Sequence, residues 1–359
     1  MGYTVFYTPM GDKVSFIDIK SELNESELYE FVEMGGFDRI QCQFVPSAAS
    51  LKLLNTYYSK FPQTGFRIYG GISSEFMSLA FLSELPSIRK LSIDFNGSVE
   101  TTEMIGQLRE LESLEISVGS VDKFNFIKNL PDTIKKFECE TESKNLDLSL
   151  LCGLSCLKQL KISGYKKNIE SLAELPLLED LMLKGITLDR LDFINNIPKL
   201  KILKIHWGNT SDFSALYGNS QIKGLQLFRI SKLMDLTLLA QLPSLHVVEL
   251  SQLRHIESLP DLSGNTNLHH ILLDDLKSLL DLSVLEHIKN LESASFSCCP
   301  PAFESENILP VLRNPAIMQC SFYTRSQKKN ERIAQLIFES GKKNTSNVSL
   351  VRDFLFHIR

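Results

Sequence analysis

The sequence predicts an α/β solenoid: one parallel sheet running along the side of a stack of short units. Three observations carry the prediction. An apolar signature, L-x-x-L-x-x-L-x-L, recurs about eleven times between Leu85 and Phe322, as in Leu85/Ile88/Leu91/Ile93, Leu154/Leu157/Leu160/Ile162 and Leu242/Leu245/Val248/Leu250. Its first strand position falls at residues 91, 114, 137, 160, 181, 203, 225, 248, 271, 294 and 320, in steps of 21 to 26 residues. Pro86, Pro131, Pro176, Pro198 and Pro243 directly follow the first apolar residue of their repeats and can fix the turn back toward the strand. A unit that short buries its apolar edge only against its neighbours, so the units must stack.

The elements follow in order. Residues 1–80 read as an N-terminal cap. Tyr3–Tyr7 and Val14–Ile19 alternate like two strands around a Pro9-Met10-Gly11-Asp12 turn. Ser21 to Met34 reads as a helix with Asn24 as its cap and Gly35-Gly36 as its stop. Ile40–Phe44 reads as a strand, Ser47–Lys60 as a helix with Leu51, Leu54 and Tyr58 on one stripe, and Phe66–Tyr69 as a strand. Cys42, Ile68 and Ile93 are 26 and 25 residues apart, so these longer strand–helix units extend the same sheet. A cap is required there, because the first repeat would otherwise expose its apolar face and a sheet edge. Residues 81–325 form the array. Residues 326–359 read as a C-terminal cap: a helix over Gln327–Ser340 with Ile333, Leu336 and Ile337 inward, then an apolar segment, Val348–Ile358, shielding the final strand.

Composition narrows the function. Of 359 residues, 43% are hydrophobic and 23% charged, as in ordinary globular proteins. A net charge of −5 without a basic tail argues against nucleic acid or anionic lipid as the partner. No apolar run is long enough to span a membrane. The opening MGYTVFYTPM lacks a basic start followed by an apolar run, so no secretory signal is expected and the cytoplasm is the expected compartment. The seven cysteines read as small apolar core residues; Cys139 and Cys320 fall on inward strand positions, and the Cys298–Cys299 pair has no second pair at ligand spacing. The histidines, among them His206, His246, His255, His269, His270, His287 and His357, are scattered and read as surface or rim residues. No phosphate loop, zinc-protease motif, nucleophile elbow or Cys-x-x-Cys is present, so no enzyme, cofactor or metal is expected.

Between strands a second motif recurs: Asp147-Leu148-Ser149-Leu150-Leu151, Asp235-Leu236-Thr237-Leu238-Leu239 and Asp281-Leu282-Ser283-Val284-Leu285. Together with the apolar signature it resembles the short-repeat leucine-rich repeat proteins of the internalin and phosphatase-regulator type, over roughly residues 80–325. The resemblance implies a horseshoe with a continuous parallel sheet on the concave side, short 3₁₀ or α turns on the convex side and capping elements at both ends. One column departs from that family. Where it places Asn after the strand, this chain has Asn96, Gly119, Glu142, Tyr165, Ile186, Gly208, Ile230, Leu253, Leu276 and Cys299. The backbone groups there still need partners, and the apolar entries imply an interior filled with hydrocarbon.

Strand residues alternate, so with Leu203 and Ile205 inward, Ile202, Lys204 and His206 point out. In that register the central repeats present Met182, Lys184, Lys204, His206, Trp207, Phe228 and Arg229 on the concave face, flanked by Glu115, Glu138, Glu140, Glu249, Asp274 and Asp275. Exposed aromatics, Met and Arg in one patch have the composition of an interface core. The expectation is therefore a non-enzymatic module that binds a protein partner on its concave face, in its sharper form a dedicated inhibitor or immunity-type regulator. The alternatives are a secreted or surface adhesin of similar architecture, and an enzyme with an unrecognised site.

Overall fold

The computed structural model describes residues 2–8, 13–70, 76–143, 146–164, 167–188 and 190–356; the Pro9–Asp12 turn, Tyr165 and His357 lie outside them. The chain falls into two compact units, Met1–Leu178 and Glu179–Arg359.

The N-terminal unit opens with an antiparallel pair, β1 (Tyr3–Tyr7) and β2 (Val14–Ile19). Next come α1 (Glu25–Met34), β3 (Arg39–Cys42), α2 (Ala48–Lys60) and β4 (Gly65–Gly70). A reciprocal cap starts α1: Asn24 Oδ1 accepts from the Glu27 N–H at 3.1 Å, and the Glu27 carboxylate accepts from the Asn24 N–H. The two helices bury Phe31, Leu51, Leu54, Tyr57 and Tyr58. From there the units shorten. β5 (Phe76–Ser78), β6 (Lys90–Glu100), β7 (Ser113–Val121), β8 (Lys136–Thr141) and β9 (Gln159–Ser163) are joined by 3₁₀ turns such as Thr102–Gln107 and Asn125–Asn129. Strands β2, β3, β4, β6, β7, β8 and β9 pair in parallel, and β5 lies beside the distal half of β6.

The C-terminal unit is a parallel ladder of β10 (Asp180–Lys184), β11 (Ile202–Gly208), β12 (Gly224–Ile230), β13 (Val247–Ser251), β14 (His270–Asp274), β15 (Ser293–Ser297), β16 (Gln319–Phe322) and β17 (Lys343–Asn344). The L-x-L positions of the signature form two buried columns, Leu181/Leu203/Leu225/Val248/Ile271 and Leu183/Ile205/Leu227/Leu250/Leu273. Strands return through turns, the short helices α3 (Thr237–Ala240) and α4 (Leu309–Arg313), and the longer α5 (Gln327–Glu339). The Asp of the second motif starts the turn as a side-chain acceptor. Asp235 Oδ1 takes the Thr237 N–H at 2.9 Å, Asp281 Oδ1 takes that of Ser283 at 2.8 Å, and Asp212 and Asp261 repeat the contact.

In the C-terminal unit, where the Asn column is missing, β10 to β15 leave the sheet in the left-handed conformation. Gly185, Trp207, Arg229, Gln252, Asp275 and Cys298 all have φ between 48° and 65°. The turn aims backbone N–H groups at the next strand, Gln252 to the Asp274 carbonyl at 2.8 Å and Asp275 to that of Ser297 at 3.0 Å. The residues that follow, Ile186, Ile230, Leu253, Leu276 and Cys299, are buried. Two buried Asn at the start of the signature clasp the preceding repeat: Asn265 Nδ2 donates to the Leu239 carbonyl at 2.8 Å and Asn314 Nδ2 to that of Leu285 at 2.7 Å.

The last apolar segment does not shield the final strand. It forms α6 (Val348–Phe356), which packs on β12, β13 and β14 from the side opposite the buried L-x-L columns. Among the described residues no helix is long and apolar enough to cross a membrane, and no group of three or more His, Cys, Asp or Glu is placed to hold a metal.

Candidate binding face

In the C-terminal unit the outward columns stand in register as Ile202/Gly224/Val247/His270, Met182/Lys204/Gln226/Glu249/Leu272 and Lys184/His206/Phe228/Ser251/Asp274. The expected patch divides in two. Met182 and Lys204 are buried, Lys204 to 3% exposure. The Lys204 ammonium reaches Asp180 Oδ2 at 2.7 Å and lies 4.2 Å from the centre of the Phe356 ring of α6. The rim half remains accessible. Lys184 Nζ sits 4.5 Å over the Trp207 ring, and Phe228 stands 5.7 Å from Trp207 and 5.4 Å from His206 between ring centres. Trp207 is 41% exposed and Arg229 is exposed beside it.

Helix α6 explains the division. Val351 and Leu355 are fully buried against Ile202, Val247 and Leu272, with Val348 and Phe354 packed at the margin. Gly224 admits the helix: a Cβ there would stand 2.6 Å from Ile202 Cδ1 and 2.9 Å from Leu355 Cδ2. A polar line crosses beneath it. His206 Nε2 donates to Gln226 Oε1 at 2.7 Å, Gln226 Nε2 donates to Glu249 Oε2 at 2.7 Å, and Arg352 of α6 reaches Glu249 Oε1 at 3.3 Å. Glu249 is 2% exposed, so Arg352 neutralises a carboxylate that burial would otherwise penalise. Asn347 ties down the helix start, donating from Nδ2 to the Ile271 carbonyl at 3.1 Å and to Ser293 Oγ at 2.8 Å. Sequence reasoning missed Asp180, Glu249 as a buried partner, Asn347 and Arg352. The one local signal was apolar spacing in Val348, Val351 and Leu355, which does not say which surface it covers.

In the N-terminal unit the outward face is open and polar. Its columns run Phe16/Arg39/Gly65 and Asp18/Gln41/Arg67/Ser92/Glu115/Glu138/Lys161, with Tyr69/Asp94/Ser117/Glu140 alongside. Opposite charges interlock across strands. Arg67 pairs with Asp94, Lys136 reaches Glu115 at 2.5 Å and Glu138 at 2.8 Å, and Lys161 reaches Glu138 at 3.2 Å and Glu140 at 3.7 Å. Burial alone would raise the Glu138 carboxyl, but Lys136 and Lys161 hold it below the usual carboxylate range. Lys90 makes no ion pair among the described residues. These side chains line a cleft of about 620 Å³. Of the flanking acids expected from sequence, Glu115, Glu138 and Glu140 belong to this ladder.

No protein-family model and no curated protein sequence matches the chain. Solved structures do. An internalin, InlF, from Listeria monocytogenes is similar over 78% of this chain and 77% of its own, at 18% identity and a TM-score of 0.51. A chain of the Toll–Spatzle complex of Drosophila is similar over 89% of this chain and 52% of its own, at 14% identity and a TM-score of 0.50. The fold is the leucine-rich repeat solenoid. Within that class its strands are joined by short turns, and in fold it is similar to that internalin.

Proposed function

We propose that this chain is a protein-binding scaffold whose working surface is the open, charge-laddered face of the N-terminal unit. One observation carries the proposal: the outward face of the repeats from β3 to β9 holds an open cleft of about 620 Å³ lined by both acidic and basic side chains. The partner that fits turns carboxylates toward Arg39, Arg67 and Lys90 and amines toward Glu115, Glu138 and Glu140. A rigid sheet loses little conformational entropy on binding such a surface, and fixed charges of both signs set register and exclude partners with the wrong pattern. A dedicated inhibitor or regulator is the sharper form of this role. The test is recovery of a partner from the native cell extract with the wild-type chain, an Arg67→Glu/Lys136→Glu chain and a control altered on the turn side, Glu170→Lys. One partner lost only by the cleft variant is the expected result; equal recovery by all three overturns the site, and a broad set of partners overturns the dedicated role.

The rim of the C-terminal unit supports a second reading, favoured by the exposure of Trp207 between Lys184, Phe228 and Arg229. Under it, Trp207→Ala with Arg229→Ala weakens the recovered complex by more than ~2 kcal/mol, the size of a hot spot. Unchanged affinity by calorimetry removes the rim from the interface.

A further inference from the structure

We infer that the outward face of β11 to β14 is a groove for an amphipathic helix, and that α6 is its tethered occupant, exchangeable for a helix of the same pattern on a partner protein. The groove is built for a helix. Ile202, Val247 and Leu272 make an apolar strip bordered by polar residues of the same columns, Lys204, Gln226, Glu249, Ser293 and Ser295. Gly224 removes the one side chain that would hold a helix off the strip. The charges under it are arranged for a ligand with a defined polarity: Glu249 takes a basic residue, and Lys204 lies under an aromatic ring. The seated helix states what the groove accepts. It carries apolar residues at i, i+3 and i+7 (Val348, Val351, Leu355), a basic residue directly after the second (Arg352), and Asn347 before its first turn.

The attachment is slight for a structural element. Two side chains of α6 are fully buried, and Arg352 and Phe356, both exposed, hold on through single contacts with Glu249 and Lys204. Asn347, 0% exposed, leaves its Oδ1 without a partner among the described residues, a cost that docking must bear. The link from β17 is Thr345, whose N–H still meets the Cys320 carbonyl at 3.2 Å, and the exposed Ser346. A nine-residue helix has little stability of its own away from an apolar surface, so an undocked α6 is a disordered tail and the groove stands open. This inference concerns a different surface from the charged cleft of the N-terminal unit, and neither depends on the other.

The test uses the full chain and a synthetic peptide of sequence TSNVSLVRDFLF carrying a fluorophore. Leu355→Asp places a carboxylate in the groove and detaches α6 without touching a repeat core. The peptide is expected to bind this variant saturably and at least tenfold more tightly than wild type, with both chains monomeric. No saturable binding to a variant that keeps its cooperative thermal transition overturns the inference. A dimer formed by exchanging α6 between copies overturns the assignment to a foreign partner. Native-state hydrogen exchange of the wild type covers the case of a variant that fails to fold: α6 amides opening at least a hundredfold faster than those of β12–β14 support a displaceable helix, and equal rates make α6 part of the core and overturn it.

Discussion

At the scale of single residues, the strand exit is where this chain departs from the Asn-bearing repeats it resembles. A left-handed residue at six exits of the C-terminal unit redirects the backbone, and at Gly185, Gln252 and Asp275 its own N–H meets a carbonyl of the neighbouring strand. Glycine takes that conformation freely, yet in the C-terminal unit it occupies only Gly185, while Trp207, Arg229, Gln252, Asp275 and Cys298 hold φ near +50°. An L residue in that region costs roughly 1–2 kcal/mol. The strain belongs to the repeat and not to a binding role, since Gln252 and Cys298 share it with Trp207. Replacing Gln252, half-buried at the rim, with glycine therefore relieves strain at some cost in unfolded-state entropy, and the net gain is up to about 1 kcal/mol. Chemical denaturation of Gln252→Gly checks it: a lower midpoint than wild type shows that the strain at the exit is smaller than the entropy cost of glycine. None of this geometry was legible in the sequence, because a column of Trp, Arg, Gln, Asp and Cys shares no side-chain chemistry. The consequence was legible, since Ile186, Ile230, Leu253 and Leu276 could fill the space only as hydrocarbon, and all four are buried.

At the scale of elements, α6 meets a cluster of imidazoles. The His246 ring centre lies 4.3 Å from that of His269, 5.9 Å from that of His270 and 5.1 Å from that of Phe354 on α6. Around them stand Glu292, 2.9 Å from His269 Nδ1, with Ser293 Oγ on His270 Nδ1, the Asn267 carbonyl near His246, and Lys223. Burial, then the charge of His269, pushes His246 below the usual imidazole value, and burial does the same to His270 despite the opposing pull of Glu292. The sign follows from proton uptake. With folded-state values depressed, the unfolded chain binds protons first as pH falls below about 6.5, so stability is full above that pH and declines through it toward the folded values. Thermal midpoints of the wild type should therefore fall more steeply below about pH 6.5 than those of His246→Phe, which keeps the ring against Phe354 and loses the titration. Parallel curves would show that the cluster does not couple to folding. In sequence these residues read as scattered rim histidines. Spacing of about one repeat places His246 beside His269 and His270, but the aromatic that closes the cluster comes from the end of the chain, which no local pattern connects to β13.

At the scale of the whole molecule, the repeat period determined the fold class because every unit meets the same physical demand: an apolar edge and a strand with no partner except the units before and after it. The binding face was less legible for the same reason. Alternation says which side chains leave the core, so it placed Met182, Lys204, Glu115 and Glu138 on the outward columns, but it cannot say which part of a face another segment will cover. Stacked units also predict how damage spreads. Leu227 is fully buried between Ile205 and Leu250 in the same column, and Leu227→Ala should cost about 2–5 kcal/mol by transfer and cavity terms. In a globular core that loss is shared by the whole domain. In a stack it weakens two interfaces, so amide protection should fall in β11, β12 and β13 and stay at the wild-type level in β15 and β16, three and four units away. Hydrogen exchange resolved by strand distinguishes the cases: a uniform loss of protection from β10 to β16 would mean that this unit unfolds as one cooperative block and that nearest-neighbour stacking does not describe its energetics.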